Sequence, residues 1–324
     1  MRAPNFWHRP SMTGTLLSPL SIFWHAGTIA RRFFSAPPFA ASVPVICVGN
    51  FTAGGAGKTP LVIDIARALC STDQKPHLLT RGFGGSLRGP VLVDKESHVA
   101  SEVGDEPLLL ATTAPTWVSH NRGQGARQAI KNGASIIIMD DGFQNPTIVK
   151  SLSIIAVDGS YGFGNGKVIP AGPLRENVKA GLRRCDAVIM IGADRHNVEK
   201  FIGSECPVYR TKIVAFPESS NTEKRVLAFA GISRPSKFYE TLLDLGYEVV
   251  DKFDFSDHHK FKEEEITKIC NRAHKLGAIP ITTEKDYARL PIEVRAKIGV
   301  IKIAIEWEDP DARESILKKV IENG

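Results

Sequence analysis

The stretch GNFTAGGAGKTP, Gly49 to Pro60, follows the short apolar run Val43 to Val48 and precedes Leu61 to Cys70, whose apolar residues recur at helical spacing. The order is strand, glycine loop, helix. Glycines let backbone N–H groups approach phosphate oxygens, and the positive end of the following helix adds to the attraction. Thr52, Ala53, Gly54, Gly55, Ala56 and Gly57 then form a phosphate cradle. Lys58 neutralises the β and γ phosphates, and Thr59 offers a hydroxyl to magnesium. Thr52 stands where the strict form of this loop has its first glycine. The loop still implies a nucleoside triphosphate, ATP by preference, because TTEKD at Thr282 to Asp286 lacks the residue order of a guanine reader.

Outward from the loop, Ile136 to Asp141 (IIIMDD) is an apolar strand ending in two carboxylates. An acid delivered this way meets the nucleotide's metal, so Asp140 or Asp141 is expected to reach Mg2+ directly or through water. Gln144 continues the loop at the strand's C-terminal end, where ligands collect in open α/β sheets. Further strands are expected at 75–80, 152–157 and 187–191, with helices at 106–112 and 125–132 between them. This alternation indicates an α/β core with a mostly parallel sheet. Composition turns polar near 218–224. A second series of strands (225–230, 247–251, 278–282, 300–304) and helices (237–245, 263–276) then follows. We expect three parts: an N-terminal amphipathic helix in 1–40, a phosphate-loop core in 41–221, and a smaller C-terminal α/β lobe in 222–324.

Four more clusters carry chemistry. In GDEP, Asp105 and Glu106 precede a helix, where one carboxylate could serve the metal and the other an acceptor hydroxyl, or both could merely cap. RGFGG at Arg81 and PAGPLRE, which ends in Arg175 and Glu176, combine turn residues with arginines able to clamp a second phosphate. Together with Asn50 and Gln144, Arg81, Arg175 and Glu176 form the candidate substrate side. Asp257-His258-His259 places a histidine beside an acid, a weak signal when it stands alone.

With 41 Lys and Arg against 35 Asp and Glu, the net charge of +6 suits anionic partners. No aromatic-interleaved basic cluster points to nucleic acid. Five scattered cysteines without a CxxC pair argue against a disulfide framework or structural zinc. In the first forty residues Leu16, Leu20, Phe23, Trp24, Gly27, Ala30 and Phe34 recur at helical spacing, flanked by Arg9, Arg31 and Arg32 and interrupted by Pro19 and His25. The stretch is too broken to span a bilayer, and no small-residue cleavage site marks it as a removed signal. It reads either as a helix in a membrane interface or as one packed on the domain.

Taken in order, GNFTAGGAGKTP, RGFGG, GDEP, DDGFQN, GFGNG with PAGPLRE, DHH and TTEKD resemble the tetraacyldisaccharide 4′-kinase family of lipid A synthesis. The resemblance runs from Gly49 to Asp286. It implies ATP and Mg2+, transfer of the γ-phosphate to the 4′-hydroxyl of a tetraacylated disaccharide 1-phosphate, and a threonine or serine at the Thr52 position. It makes Asp105 the base, His258 its partner, and Glu106 with Asp140 or Asp141 the metal side. It also implies closure of the smaller lobe over ATP. A substrate held in the bilayer favours the interfacial reading of the N-terminal helix, on the cytoplasmic face of the inner membrane, with no obligate protein partner. A nucleotide switch is the competing class. Ala53 stands where the dimerising members of that class carry a signature lysine.

Overall fold

In the computed structural model, described over residues 4–35, 37–217, 223–232 and 235–321 without the side chains of 29 and 31–33, twelve strands join in one sheet. They are β1 (Val45–Gly49), β2 (Pro76–Thr80), β3 (Val91–Leu92), β4 (Thr116–Val118), β5 (Ile136–Asp140), β6 (Leu152–Asp158), β7 (Ala187–Ile191), β8 (Val208–Pro217), β9 (Arg225–Ala230), β10 (Glu248–Asp254), β11 (Ile279–Thr283) and β12 (Gly299–Trp307). Their spatial order is β10-β9-β11-β12-β8-β7-β6-β1-β5-β2-β4-β3. The two large blocks are internally parallel and meet at the antiparallel pair β8/β12. The edge strand β3 is also antiparallel to its neighbour. The expected boundary at residue 222 lies outside the described residues.

β1 sits between β5 and β6 and is buried along its whole length. Its side chains alternate between two cores. Ile46 and Val48 pack with Leu61, Ile65 and Leu69 of the helix Lys58–Cys70, whereas Val45 and Cys47 meet Ile137 and Met139 on the other face. A strand covered on both sides has no polar face to show, which is why 43–48 reads as an unbroken apolar run. The second block repeats the plan, with Val226 and Ala228 on one face and Leu227 and Phe229 on the other.

The C-terminal segment returns to the first block. Ile316, Leu317 and Val320 of the helix Ala312–Ile321 join the core beneath the helix Lys58–Cys70. Asp64 of that helix accepts hydrogen bonds from Trp307 Nε1 at 2.9 Å and Arg313 Nη1 at 2.8 Å. The antiparallel junction reverses the second block. Ion pairs nevertheless join the segments after β10 and β11 to the first block: His258 and Lys285 both reach Asp105, and Lys285 also reaches Glu106.

The N-terminal helix is present at Leu20–Phe33. Its neighbours are the 162–176 segment. Trp7 Nε1 donates to Pro170 O at 3.1 Å, Ser21 Oγ to Val168 O at 2.7 Å and Trp24 Nε1 to Arg175 O at 2.9 Å. Phe23 and Phe34 are 74% and 87% exposed, and Met12 and Leu16 are also open to solvent. No helix of the described residues is long and apolar enough to cross a membrane. The side chains of Arg31 and Arg32, expected to meet anionic lipid, lie outside the described set.

Candidate active site

The glycine loop joins β1 to the helix Lys58–Cys70, and Gly57, at φ 77°, supplies the left-handed residue ahead of the helix. Asn50 is fully buried and turned into the loop itself, donating from Nδ2 to Thr52 O at 2.7 Å and Gly54 O at 3.2 Å. Its side chain therefore braces the cradle. A second chain segment closes the loop from outside, with Ala53 N donating to Pro173 O and Arg175 N to Phe51 O, both at 2.7 Å. This pairing carries PAGPLRE to the phosphate loop, 120 residues away in sequence.

Parallel pairing sets Val48 opposite Asp140, so the two carboxylates emerge beside the glycine loop. They differ sharply. Asp140 is buried, its Oδ1 has no hydrogen-bond partner, and burial, then the nearby Glu106 charge, push its pKa up to about 7 against the pull of Lys58. Asp141 turns outward in a left-handed conformation, φ 54°. Burial raises its pKa, but Lys58 and Arg175 outweigh that and hold the carboxyl below the usual range. Lys58 Nζ lies 3.7 Å and Arg175 Nη1 2.7 Å from Asp141 Oδ1. Gln144 Nε2 donates to Asn50 O at 3.0 Å and to Glu176 Oε1 at 3.1 Å, and Glu176 also pairs with Arg184. Asn50, Gln144, Arg175 and Glu176 are thus assembled around the phosphate loop.

Asp105 opens the helix Asp105–Leu110, preceded by Gly104 at φ 94°. A Cβ at Gly104 would stand 2.6 Å from Phe83 O, so the glycine lets the RGFGG loop lie against this turn. Asp105 is 5% exposed, and its Oδ2 is 3.0 Å from His258 Nδ1, 3.6 Å from Lys285 Nζ and 3.6 Å from Arg289 Nε. Burial raises its pKa, yet the His258 hydrogen bond and the charges of Lys285 and Arg289 win and hold it at about 2. An ionised carboxylate requires the proton on His258 Nδ1. Lys285 also reaches Glu106 Oε1 at 3.7 Å, and Glu106 in turn acts on Asp140. The second block's histidine and lysine therefore meet the first block's carboxylates, and Glu106 links them electrostatically to Asp140, on which Lys58 also acts.

Arg81 stands apart from this group. It is exposed, and with Arg88 and Arg122 it surrounds His120, whose pKa is lowered by burial first and then by these three charges. Sequence reasoning missed Arg122, which is buried at the start of the helix Arg122–Lys131 and electrostatically coupled to Asp140. It also missed Lys285 and Arg289, and it named Trp24 only as a member of the N-terminal helix, not as a hydrogen-bond partner of Arg175 O. The Lys285 signal was present in TTEKD, whereas Arg289 sits in an unremarkable DYARL.

Asp140, Asp141, Glu106 and Thr59 fit a hard divalent cation. The orphaned, buried Asp140 Oδ1 is the observation that asks for one, and Mg2+ takes one or two carboxylates together with substrate phosphates. Among the described residues no cluster of three or more His, Cys, Asp or Glu side chains is built to cage a metal.

The family model described as LpxK, tetraacyldisaccharide-1-P 4′-kinase, matches residues 13–322. The tetraacyldisaccharide 4′-kinase of Rhodospirillum centenum is 47% identical over 99% of this chain and 97% of its own length. That of Rhodospirillum rubrum is 44% identical over 99% of this chain and 98% of its own. A crystal structure of LpxK from Aquifex aeolicus in complex with ATP superposes with a TM-score of 0.77 at 25% identity, covering 95% of this chain and 99% of that one. Matched from end to end in sequence and in fold, this chain belongs to the tetraacyldisaccharide 4′-kinase family.

Proposed function

We propose that this chain transfers the γ-phosphoryl group of ATP to the 4′-hydroxyl of a tetraacylated glucosamine disaccharide 1-phosphate, using Lys58 on the donor side and Asp105 on the acceptor side. The observation that carries the reading is the chain of charged groups that links the Asp105–His258 pair to the Lys58–Asp141 pair, through Lys285 to Glu106 and from Glu106 to Asp140.

The backbone N–H groups of 54–57 and the helix end hold the phosphates, that of Ala53 being taken by Pro173 O, and Lys58 balances charge on the transferring group. Thr59, Glu106, Asp140 and Asp141 are the residues that would hold Mg2+, which would neutralise charge on the phosphates when bound. A carboxylate held at about pKa 2 is a weak base toward an alcohol. That suffices here, because in a loose phosphoryl-transfer transition state there is little bond formation to the nucleophile. Asp105 then works first by orienting the hydroxyl and receives its proton late, while His258 holds the carboxylate in place. Arg175, released from Asp141 or shared with it, positions the acceptor; Gln144 and Glu176 fix the segment that carries it. Arg81 supplies positive charge farther out for the substrate's own phosphate. Residues 41–221 act as the core and 222–324 as the smaller part, which already holds His258 against Asp105 and whose last helix packs back on the core, so closure over ATP is not needed to form this pair.

The test is the acceptor dependence of ATP consumption. Steady ATP turnover is expected only when the tetraacyl disaccharide 1-phosphate is added; acceptor-independent turnover at the same rate would favour the nucleotide-switch class instead.

The N-terminal helix serves this chemistry by bringing the site to the lipid, on the cytoplasmic face of the inner membrane. Its exposed Phe23 and Phe34 suit the headgroup boundary, and Trp24 ties it to the backbone of Arg175. A cavity of about 400 Å³ opens between this helix and the core, lined by Ser18, Ser21, Ile22, His25, Lys167 and Val168. Deleting residues 1–36 is expected to move the protein from the membrane pellet to the supernatant. Unchanged co-sedimentation would refute this placement.

A further inference from the structure

Arg289 is an arginine with almost no water around it, and it sits between the two loops that flank His258. Its side chain is 3% exposed. Nη2 donates to Gly231 O at 3.1 Å and Asp286 Oδ1 at 2.7 Å, Nη1 donates to His259 O at 3.2 Å, and Nε donates to Lys285 O at 3.2 Å. Gly231 O also accepts the backbone N–H of His258, at 3.1 Å. One guanidinium thus grips the carbonyl that anchors His258 and the carbonyl of the residue after it.

The grip falls on an uncommon backbone conformation: the φ of His258, 59°, lies in the left-handed region, which few residues other than glycine adopt although histidine is among those that tolerate it. Asp286 stands behind the guanidinium, fully buried, with Oδ1 also accepting Gly231 N at 3.1 Å and Oδ2 accepting Thr283 Oγ1 at 2.8 Å. The carboxylate therefore orients the fork and balances part of its charge. What remains faces Asp105, whose Oδ2 lies 3.6 Å from Nε. A planar group with donors on three nitrogens can make these contacts together; a lysine ammonium, a single point of charge, cannot.

We propose that Arg289, braced by Asp286, is the positioning residue of the His258–Asp105 pair: it holds the left-handed turn at His258 and sets a buried cation beside the Asp105 carboxylate, so that the pair meets the acceptor hydroxyl in a single geometry. The proposal rests on the reading of Asp105 as the acceptor-side base. Among the described residues Arg289 makes no hydrogen bond or ion pair to the phosphate loop or to Arg81, Gln144, Arg175 or Glu176, and reaches the acceptor side only through Asp105, so its loss is expected to act on the rate of transfer and to leave substrate affinity alone.

The test compares the full-length protein with Arg289→Lys, Arg289→Ala, Asp105→Asn and His258→Ala, measuring kcat, KM for both substrates, ATP affinity and thermal midpoint. Misplacement of a catalytic group by about 1 Å costs about 100-fold, so kcat of Arg289→Lys is expected to fall by roughly that factor with both KM values within about threefold. Added guanidinium is expected to restore part of kcat to Arg289→Ala by refilling the buried site. Should the alanine variant fail to fold, the lysine variant decides alone, because it keeps the charge and most of the volume. If Arg289→Lys turns over at close to the normal rate while Asp105→Asn has lost turnover, the proposal is overturned and the reading of Asp105 survives. A fall in ATP affinity that accounts for the lost rate would also overturn it, by assigning Arg289 to the nucleotide. If Asp105→Asn and His258→Ala both keep their rate, the reading beneath the proposal fails, and the proposal with it.

Discussion

Asp105→Asn is expected to lose about 10²–10⁴-fold in kcat while binding ATP with unchanged affinity, the range that a positioned general base contributes. The substitution keeps the shape of the side chain and removes its charge. In the folded protein that charge lies against His258, Lys285 and Arg289, all within 3.6 Å of Oδ2. An amide can still accept a hydrogen bond from His258 Nδ1, but it cannot take the acceptor's proton. Three cationic or potentially cationic groups would then face a neutral one, so the thermal midpoint is also expected to fall. Nucleotide binding separates the two effects: normal ATP affinity with lost turnover places Asp105 on the acceptor side. A near-normal rate would remove it from the role.

Lys58→Met is the second large effect, with an expected loss of about 10²–10³-fold in kcat, the scale of removing one preorganised donor from a developing charge. Lys58 also holds Asp141 ionised, acting with Arg175 against burial. Without it, Asp141 is expected to titrate higher, and Arg175, 2.7 Å away, becomes its remaining close cation. Arg175 would then be less free to engage the acceptor. The variant should therefore weaken acceptor binding as well as transfer, a joint effect that steady-state kinetics with both substrates varied would resolve. Loss confined to ATP affinity would contradict it.

Much of the core was legible because its strands are buried on both faces and the candidate site residues sit at their ends. The run 43–48 followed by glycines, and IIIM followed by Asp140 and Asp141, declare strand ends without any knowledge of tertiary structure. β8 was not legible. Val208–Pro217 mixes Arg210 and Lys212 with apolar residues and is only partly buried, so its signal is weak until β12 pairs with it. β3 and β4 were missed because two and three residues are too few to show a period.

The site divides in a similar way. Lys58, Thr59 and Asp140 are announced by local motifs, whereas DHH became informative only through the family resemblance, since nothing local says that His258 crosses 153 residues to meet Asp105. Asn50 lies in the expected loop with a part local motifs do not show: its Nδ2 braces the cradle at Thr52 O and Gly54 O, while its buried Oδ1 has no hydrogen-bond partner. Arg289 carries no motif at all. Its burial among backbone carbonyls appears only when the sheet brings Gly231, His259 and Asp286 together.

The central claim is that one cleft joins a triphosphate donor to a lipid-disaccharide acceptor. The direct measurement follows radiolabel from the γ-position of ATP in detergent micelles containing a tetraacyl disaccharide 1-phosphate, with the product isolated and the labelled position identified. The account predicts label on the 4′-oxygen of the lipid, formed by the wild-type protein and not by Asp105→Asn. Label recovered only as inorganic phosphate, or a lipid labelled equally well by the variant, would contradict it.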